Sequence, residues 1–451
     1  MTRILLKDLK DFKDQEVSIK AWVDARRDHG KLIFLVLRDR SSIAQAVIHA
    51  GNEEVFKKVE KAREEYTISM KALVKKRPEK MIKENEENGD LELEILDFEI
   101  LSKAEVLPFG KDAELNIETH LDHLPLTLRK KEIRDVFKVQ ATITKAFRET
   151  LNQEGFTEFQ APAIVGGDAE GGAGVFKMEY FKDKTAYLAT SPQLYKQIMV
   201  GVFERVFTIG KVFRAEKHAT TRHLSEYSSM DFEMGFIDSH EDIMKMLEKV
   251  TRHIVESVKK EHKSILENTK QGEPSLPEKE YPKMTLKEAQ ELIYKETGRD
   301  NRDEPDLEPE DERFLCSWAK ENKGSDFIFI THYPVSKRPF YTYEDENMPG
   351  FTKSFDLLFR GVEISTGGQR IHDYQKLVEN IKKWGLDPEK FEFYLQAFKY
   401  GIPPHGGIGM GLERLTAKIM SIKNVKEATL FPRDMTRIDL SLAQDNLENK
   451  S

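Results

Sequence analysis

VFTIGKVFRAEKHATTRHLSEYSSMDFEMGF, Val206–Phe236, reads as strand, charged loop and strand. The first arm, Val206–Arg214, is rich in β-branched and aromatic residues. The loop Ala215–Glu226 carries Glu216, Lys217, His218, Arg222 and His223. The second arm alternates. Tyr227, Ser229, Asp231 and Glu233 share one face, and Met230, Phe232 and Met234 share the other. A strand with one wholly polar face turns it to water or to a site. Arg214 has the planar fork that clamps phosphate or carboxylate. Tyr227 has a π-face on which a base stacks. A solvent-facing hairpin with surface ion pairs would show the same pattern.

FRAE (Phe213–Glu216), TTRHLSEY (Thr220–Tyr227) and MDFEMGF (Met230–Phe236) resemble motif 2 of the class II aminoacyl-tRNA synthetases, most of all the aspartyl type of archaea and eukaryotes. The resemblance implies that Arg214 holds the ATP α-phosphate and that Tyr227 stacks on adenine. It also implies that Glu216, Arg222 and His223 contact ATP, with His223 at the γ-phosphate.

Upstream, SPQLYKQ (Ser191–Gln197) resembles the segment that selects the amino acid. There Lys196 would meet the substrate's side-chain carboxylate and Gln193 would lie near its α-amino group. A neutral amide substrate would leave a buried ammonium unpaired, which argues against the asparaginyl relatives. The loop GGDAEGGAGVF (Gly166–Phe176) lacks the GK[ST] ending of a P-loop. The resemblance makes it a lid over the amino acid, with Glu170 facing the substrate ammonium. Further upstream, Ile133, Val136, Phe137, Ile143, Phe147 and Leu151 recur at helical spacing, and the strand GFTEFQAP follows. Together they resemble motif 1, which implies a homodimer.

Downstream, Ser239 to about Leu266 is predicted helical. Residues 268–283 and 301–312 are predicted loops, so the stretch of about 239–325 reads as an insertion without chemistry. Alternation along Asp356–Ile364 predicts one strand, ended by Gly367–Gly368, with Asp356 and Glu363 at its two ends. Carboxylates beside a hydroxyl suit magnesium when substrate phosphates complete the shell. The resemblance implies that Asp356, Glu363 and Thr366 bind Mg2+ with ATP, and that Arg370 pairs with the substrate carboxylate. GIPPHGGIGMGLERLTAKI (Gly401–Ile419) resembles motif 3. Its glycines allow close backbone approach. A helix N-terminus plus Arg414 makes an anion site, which the resemblance assigns to the γ-phosphate.

The first hundred residues read as five short strands with a helix before the fourth, the pattern of an OB-fold. FLVLRDRSSIAQ (Phe34–Gln45) resembles the anticodon-binding barrel of the aspartyl family. Phe34 would stack on an anticodon base, Gln45 would read a base edge, and Glu94 would be a third contact. Asp24, near Trp22, lies where two anticodons could be told apart. Lys80–Asp90 reads as a charged, mobile loop, and 103–130 as a connector without periodicity.

The chain has 451 residues, a net charge of −8 and one cysteine, Cys316. That excludes an internal disulfide framework and a globally basic nucleic-acid binder. The lysine-interrupted start and the absence of long apolar runs point to a cytoplasmic protein with no membrane contact. The expected organisation is α+β. An OB-fold occupies 1–104, a hinge 105–130 and a class II catalytic domain 131–451, built on an antiparallel sheet flanked by helices. The expected activity is aspartate–tRNA ligation with ATP, L-aspartate and tRNA(Asp). Whether tRNA(Asn) is also charged, which would require a partner amidotransferase, is open at this level. The rival readings are a ligase of the same subclass for asparagine or lysine, against both of which Lys196 argues, and a catalytically silent RNA-binding relative. The silent relative predicts a lost motif residue, yet Arg214, Arg414, Asp356 and Glu363 are all present.

Overall fold

The computed structural model describes residues 2–84, 86–167, 174–215 and 220–438. The chain divides into two compact units, Met1–Leu115 and Asn116–Ser451.

In the first unit, β1 (Glu16–Asp28), β2 (Leu32–Arg38), β3 (Ile43–His49), β4 (Thr67–Lys76) and β5 (Leu91–Ser102) close a barrel in the order β1-β2-β3-β5-β4, with α1 (Glu53–Glu60) before β4. Alternation sets its inside and outside. Ile33, Leu35 and Leu37 of β2 point into the core, while Phe34 and Val36 point out. A short 3-10 turn, Leu6–Phe12, adds Leu6 and Leu9 to that core, an element the sequence pattern did not reveal. The loop expected to be mobile makes contacts with the barrel at Asn88. Asn88 Nδ2 donates to the carbonyls of Leu6 (3.0 Å) and Ile43 (2.8 Å).

In the second unit, α2 (Ile117–Asp122) and α3 (Leu124–Thr127) occupy the stretch read as an aperiodic connector. They are too short for helical periodicity to register. The long helix α4 (Lys131–Gln153) follows as expected, but the strand after it shrinks to β6 (Thr157–Glu158) at a sheet edge. A small sheet of β7 (Ile164–Val165), β8 (Lys177–Tyr180) and β9 (Lys184–Leu188) precedes α5 (Gln193–Phe203). Next come β10 (Arg205–Phe213), β11 (Glu226–Gly235), α6 (His240–Glu267), β12 (Lys283–Thr285), α7 (Leu286–Thr297), α8 (Pro309–Lys323) and β13 (Phe327–Thr331). The chain then forms β14 (Ser354–Phe359), β15 (Val362–Gln369), α9 (Tyr374–Lys383), α10 (Glu392–Lys399), β16 (His405–Gly411) and α11 (Leu412–Ile419). Among the described residues, no helix is long and apolar enough to cross a membrane.

The main sheet runs β12-β13-β14-β15-β16-β11-β10-β6, antiparallel at its centre with a parallel pair at each edge. One face packs on α4, α6 and α11. There Met230, Phe232 and Met234 of β11 meet Ile143, Phe147, Leu247, Val250, Leu412 and Leu415. Each fully buried aromatic or leucine there contributes roughly 1.5–3 kcal/mol. On the other face, α5, α9 and α10 cover one part, while α7 and α8 cover Ile328, Ile330 and Leu358.

Several sequence expectations differ from the structure. The stretch 239–325, read as an insertion, contributes to the core: α6 supplies a face of it and α8 packs on β13. The loop expected over 301–312 also ends earlier, since α8 starts at Pro309. The single strand expected over Asp356–Ile364 is a hairpin. Arg360 (φ 46°) and Gly361 (φ 81°) form a two-residue turn between the paired Phe359 and Val362. Positive φ at both turn residues matches the twist of the flanking strands. Arg360 tolerates that conformation because its guanidinium is fixed by Asp326 (3.0 Å) and by the carbonyl of Gly272 (3.1 Å). Gly367–Gly368 lies inside β15 and does not end it.

Candidate active site

The polar face of β11 lines a cavity of about 320 Å3, so the polar stripe is enclosed rather than exposed as on a surface hairpin. Lys196, Arg214, Arg222, Tyr227, Arg370 and Arg414 all line it. They come from α5, the β10–β11 region, the end of β15 and α11.

One end is built around four buried charges. Lys196 Nζ lies 2.9 Å from Asp231 Oδ2, 3.4 Å from Glu233 Oε2 and 2.8 Å from the Ile408 carbonyl. Arg370 Nε donates to Glu233 Oε1 at 2.9 Å, and its Nη2 donates to the Gly407 carbonyl at 2.9 Å. Burial alone would raise the Glu233 carboxyl, but Arg370 and Lys196 outweigh it and hold it below the usual range. The two cations were expected to stand against one substrate carboxylate. Both also meet carboxylates of the chain itself, Asp231 and Glu233, two residues whose alternation is plain in the sequence but whose partners are not. Ser229 Oγ also donates to Asp231. Gln193 is buried, and among the described residues its Nε2 has no hydrogen-bond partner. A buried donor left this way is costly unless a ligand accepts from it.

The motif-3 glycines make room for these carboxylates. A Cβ on Gly407 would lie 2.1 Å from the Phe232 carbonyl and 2.2 Å from Glu233 Oε2. Beneath, Tyr394 Oη donates to Gln197 Oε1 at 2.8 Å, and Gln197 Nε2 lies 3.2 Å from His405 Nε2. Burial lowers the His405 pKa to about 4, so the ring adds no third cation at neutral pH.

The other end lies along β15, seven residues from Arg370 at Glu363, on the order of 20 Å away at ~3.3 Å per residue. The register slips between Leu357 and Leu358, so Glu363 pairs with Leu358 while Thr366 pairs with Asp356. This bulge brings Asp356, Glu363 and Thr366 to one face. Without it, residues three apart on a strand would point oppositely. Arg338, which the sequence reading passed over, donates to Asp356 Oδ1 (2.8 Å), Thr366 Oγ1 (3.0 Å) and Ser354 Oγ (3.1 Å). Burial first, then repulsion by Asp356, raises the Glu363 pKa. Two hard carboxylates and a hydroxyl, with one carboxylate strained by the other, fit a divalent cation. Arg414 Nη1 lies 3.9 Å from Glu363 Oε2 and 3.3 Å from its carbonyl.

The β10–β11 loop is tied down where it is described. Arg214 N donates to the Ser225 carbonyl (2.9 Å), Ser225 N to Arg433 (2.8 Å) and Val425 N to Thr221 (3.0 Å). The Arg214 guanidinium lies 5.8 Å from the centre of the Tyr227 ring. Thr220 Oγ1 and His223 Nδ1 are 2.5 Å apart. Arg222 Nη1 donates to Glu312 Oε2 at 3.1 Å. Glu413, buried at the start of α11, accepts from Ser228 N at 3.0 Å and sets β11 against that helix. Glu170 and Glu216 lie outside the described residues.

On the barrel, Phe34 and Gln45 are half-buried on the outer face, and Phe34 is no core residue. Val36 pairs with Gln45, Phe34 with Val47, and Val47 with Glu94, so Phe34, Gln45 and Glu94 share one face. The His29 ring meets Phe34 edge-on at 5.9 Å. Glu94 pairs with Lys75. Asp24 is engaged by Arg38 at 3.1 Å and by Lys111 at 2.5 Å.

The family described as tRNA synthetases class II (D, K and N) matches residues 116–435, and an OB-fold nucleic acid binding domain matches 17–101. The chain is 43% identical to the aspartate–tRNA(Asp/Asn) ligase of Thermus thermophilus, over 97% of this chain and 99% of that one. It is 38% identical to the aspartate–tRNA(Asp) ligase of Pyrococcus abyssi, over 95% and 97%. Among solved structures it is similar to asparaginyl-tRNA synthetase from Pyrococcus horikoshii complexed with asparaginyl-adenylate. That match has a TM-score of 0.86 and 31% identity, over 97% of this chain and 99% of that one. Backbone shape is thus shared with an asparaginyl enzyme, and the aspartyl assignment comes from sequence.

Proposed function

The chain belongs to the class II tRNA synthetases for aspartate, lysine and asparagine and is an aspartate–tRNA ligase, and from that premise we propose how its cavity works and which tRNAs it serves. The observation that carries the reading is two groups of cations in one cavity, Lys196 and Arg370 at one end and Arg214, Arg222 and Arg414 toward the other. Such an arrangement suits an acidic amino acid facing a polyphosphate.

Lys196 and Arg370 stand against the aspartate side chain, positioned by Asp231 and Glu233. The Gln193 amide accompanies the α-amino group, with Glu170 of the lid facing the ammonium. The aspartate α-carboxylate attacks the α-phosphorus, the bond to the β-phosphate breaks, and pyrophosphate leaves. A terminal ribose hydroxyl of tRNA then attacks the aspartyl carbonyl, and AMP leaves. The protein's work is positioning and charge stabilisation. Arg214 holds the α-phosphate, and Arg414 and His223 the γ-phosphate. Arg222 and Glu216 contact the nucleotide, and Tyr227 faces adenine. Asp356, Glu363 and Thr366 would hold Mg2+, with Glu363 also turned to ATP. When bound, Mg2+ offsets charge on the phosphate oxygens. The motif-1 elements α4 and β6 serve a homodimer, and the enzyme works in the cytoplasm.

The barrel binds the anticodon through Phe34, Gln45 and Glu94. Asp24 is held by Arg38 and Lys111, which leaves it poorly placed to discriminate anticodons. The relatives at 40–43% identity carry names for both tRNAs. We therefore favour a relaxed enzyme that aspartylates tRNA(Asp) and tRNA(Asn) alike, the second product passing to an amidotransferase. The test is aspartylation of both transcripts side by side, with asparagine as control. Charging of both with aspartate is expected, and charging of tRNA(Asp) alone would overturn the relaxed reading. In Arg370→Ala, aspartate-dependent pyrophosphate exchange should vanish while ATP binding persists. Normal exchange would remove the proposed role of Arg370.

A further inference from the structure

Glu312 carries no part of the reaction derived above, yet it meets the active site directly. It sits in the first turn of α8. That helix is packed on β13 and β14 through Leu315, Cys316 and Ala319, against Ile328, Ile330 and Leu358. Glu312 is therefore presented by a rigid element, and its side chain is only 14% exposed. Its partner, Arg222, is on the β10–β11 loop, 90 residues away in sequence. The Arg222 fork is held at two points: Nη1 on Glu312 at 3.1 Å and Nη2 on the Gly361 carbonyl at 3.4 Å. Gly361 is itself fixed against α8, since a Cβ there would lie 2.9 Å from Arg313 Cγ.

Burial raises the Glu312 pKa to about 7, and the cations around it, Arg222 first, oppose that rise. Arg222 faces the carboxyl from the loop, and Arg414 and Lys418 face it from α11. Glu363 faces it from β15, Arg313 is its neighbour on α8, and the Cys316 thiol lies one turn on. Without Glu312, Arg222 would confront Arg414 and Lys418 with Glu363 as the remaining local carboxylate, itself claimed by Asp356 repulsion and by Arg414. A guanidinium in that field swings toward solvent unless something fixes it. Two of its donors are fixed by α8 and the β14–β15 turn, so its remaining N–H groups are pre-aimed from one side, which lowers the ordering cost of binding an anion.

We propose that Glu312 is a positioning residue for adenylate formation, holding Arg222 at the phosphate end of the cavity through the Arg222–Glu312 ion pair. This rests on the reading that Arg222 contacts ATP. It gives the 239–325 stretch a functional role: α8 sets nucleotide affinity without touching nucleotide.

The test is steady-state aspartate-dependent pyrophosphate exchange on the full-length enzyme, with KM for ATP and for aspartate measured separately. Glu312→Ala should raise KM for ATP by about tenfold and leave KM for aspartate within about twofold, as expected for loss of one hydrogen-bonded charge partner. Glu312→Gln, which keeps an acceptor and the volume, should recover much of the loss and guards against a folding defect in the alanine variant. The double variant Glu312→Ala/Arg222→Ala should match Arg222→Ala alone, because both changes remove the same anchored guanidinium. An unchanged KM for ATP in Glu312→Ala beside a raised one in Arg222→Ala would overturn the proposal while sparing the role of Arg222. An unchanged KM in Arg222→Ala would overturn the reading beneath it. Additive losses in the double variant would also overturn it, since Glu312 would then act by another route.

Discussion

Lys75 with Glu94 and Lys196 with Asp231 are the same chemical pair in two settings. The first lies on the outer face of the barrel, with side chains 47% and 36% exposed. The second lies inside the catalytic unit at 1% and 2%. Water screens the first pair and can solvate either partner alone. The second has no such alternative. Removing one partner leaves a charge in a medium that cannot solvate it. The barrel therefore carries the residues proposed for recognition on a surface that can change without unfolding it. On the proposed reading, the catalytic unit has its specificity and its stability in the same atoms.

The largest effect expected from that contrast is at Lys196. Lys196→Met should abolish aspartate-dependent pyrophosphate exchange and cost about 3–5 kcal/mol of stability by stranding Asp231 and leaving Glu233 to Arg370 alone. Urea melts of the variant beside wild type check the second part, and an unchanged midpoint would break the comparison at its strongest point.

Next comes acid sensitivity, which should belong to the catalytic unit. Burial lowers His405 to about 4, and burial, then His332, lowers His240 to about 4. The folded chain thus refuses protons that the unfolded chain takes below 6.5. This stability is fully present above that value and declines as pH falls toward about 4. From about pH 7 to about pH 5 each ring should account for a loss of about 2 kcal/mol. Among the described residues neither ring nitrogen of His240 has a hydrogen-bond partner. His240→Leu should therefore flatten the slope of urea stability against pH by its share, and an unaltered slope would assign the acid sensitivity elsewhere.

Phe34→Ala should weaken tRNA binding by about 1–3 kcal/mol through lost stacking. Filter binding measures this. The melting midpoint and pyrophosphate exchange should stay put, because Phe34 lies outside the barrel core. A large stability loss would mean that the outer face is structural after all. The smallest effect is expected at Glu94→Gln. No change in melting should be detectable, and the tRNA KM should move only modestly.

Much of this protein is legible along the chain because its periodicities are local. Alternation in β11 separated Phe232 from Asp231, and helical spacing marked α4 and α6, whereas β2 is apolar from Leu32 to Leu37 and only the barrel turned Leu35 inward and Phe34 outward. The motif-bearing stretches lie where their neighbours in sequence suggest. The hairpin at Arg360–Gly361 was missed because a single apparent alternation ran through it, and because its turn lacks Asn or Asp before glycine. Its left-handed arginine is tolerated through Asp326, 34 residues away. α2 and α3 were missed because one turn of helix carries no period.

The sequence by itself determined the long helices, the polar and apolar faces of β11, and the residue types available to an acidic substrate and a polyphosphate. Tertiary structure alone decided the partners. Lys196 meets Asp231, Arg370 meets Glu233 across 137 residues, Arg222 meets Glu312 across 90, and the bulge in β15 turns Glu363 to the side of Asp356 and Thr366. The physical reason is one of range. A backbone period fixes which way a side chain points within its own element. Which charge it meets depends on sheet register and on glycines that let strands close to contact, and both are set by packing between segments far apart in the chain.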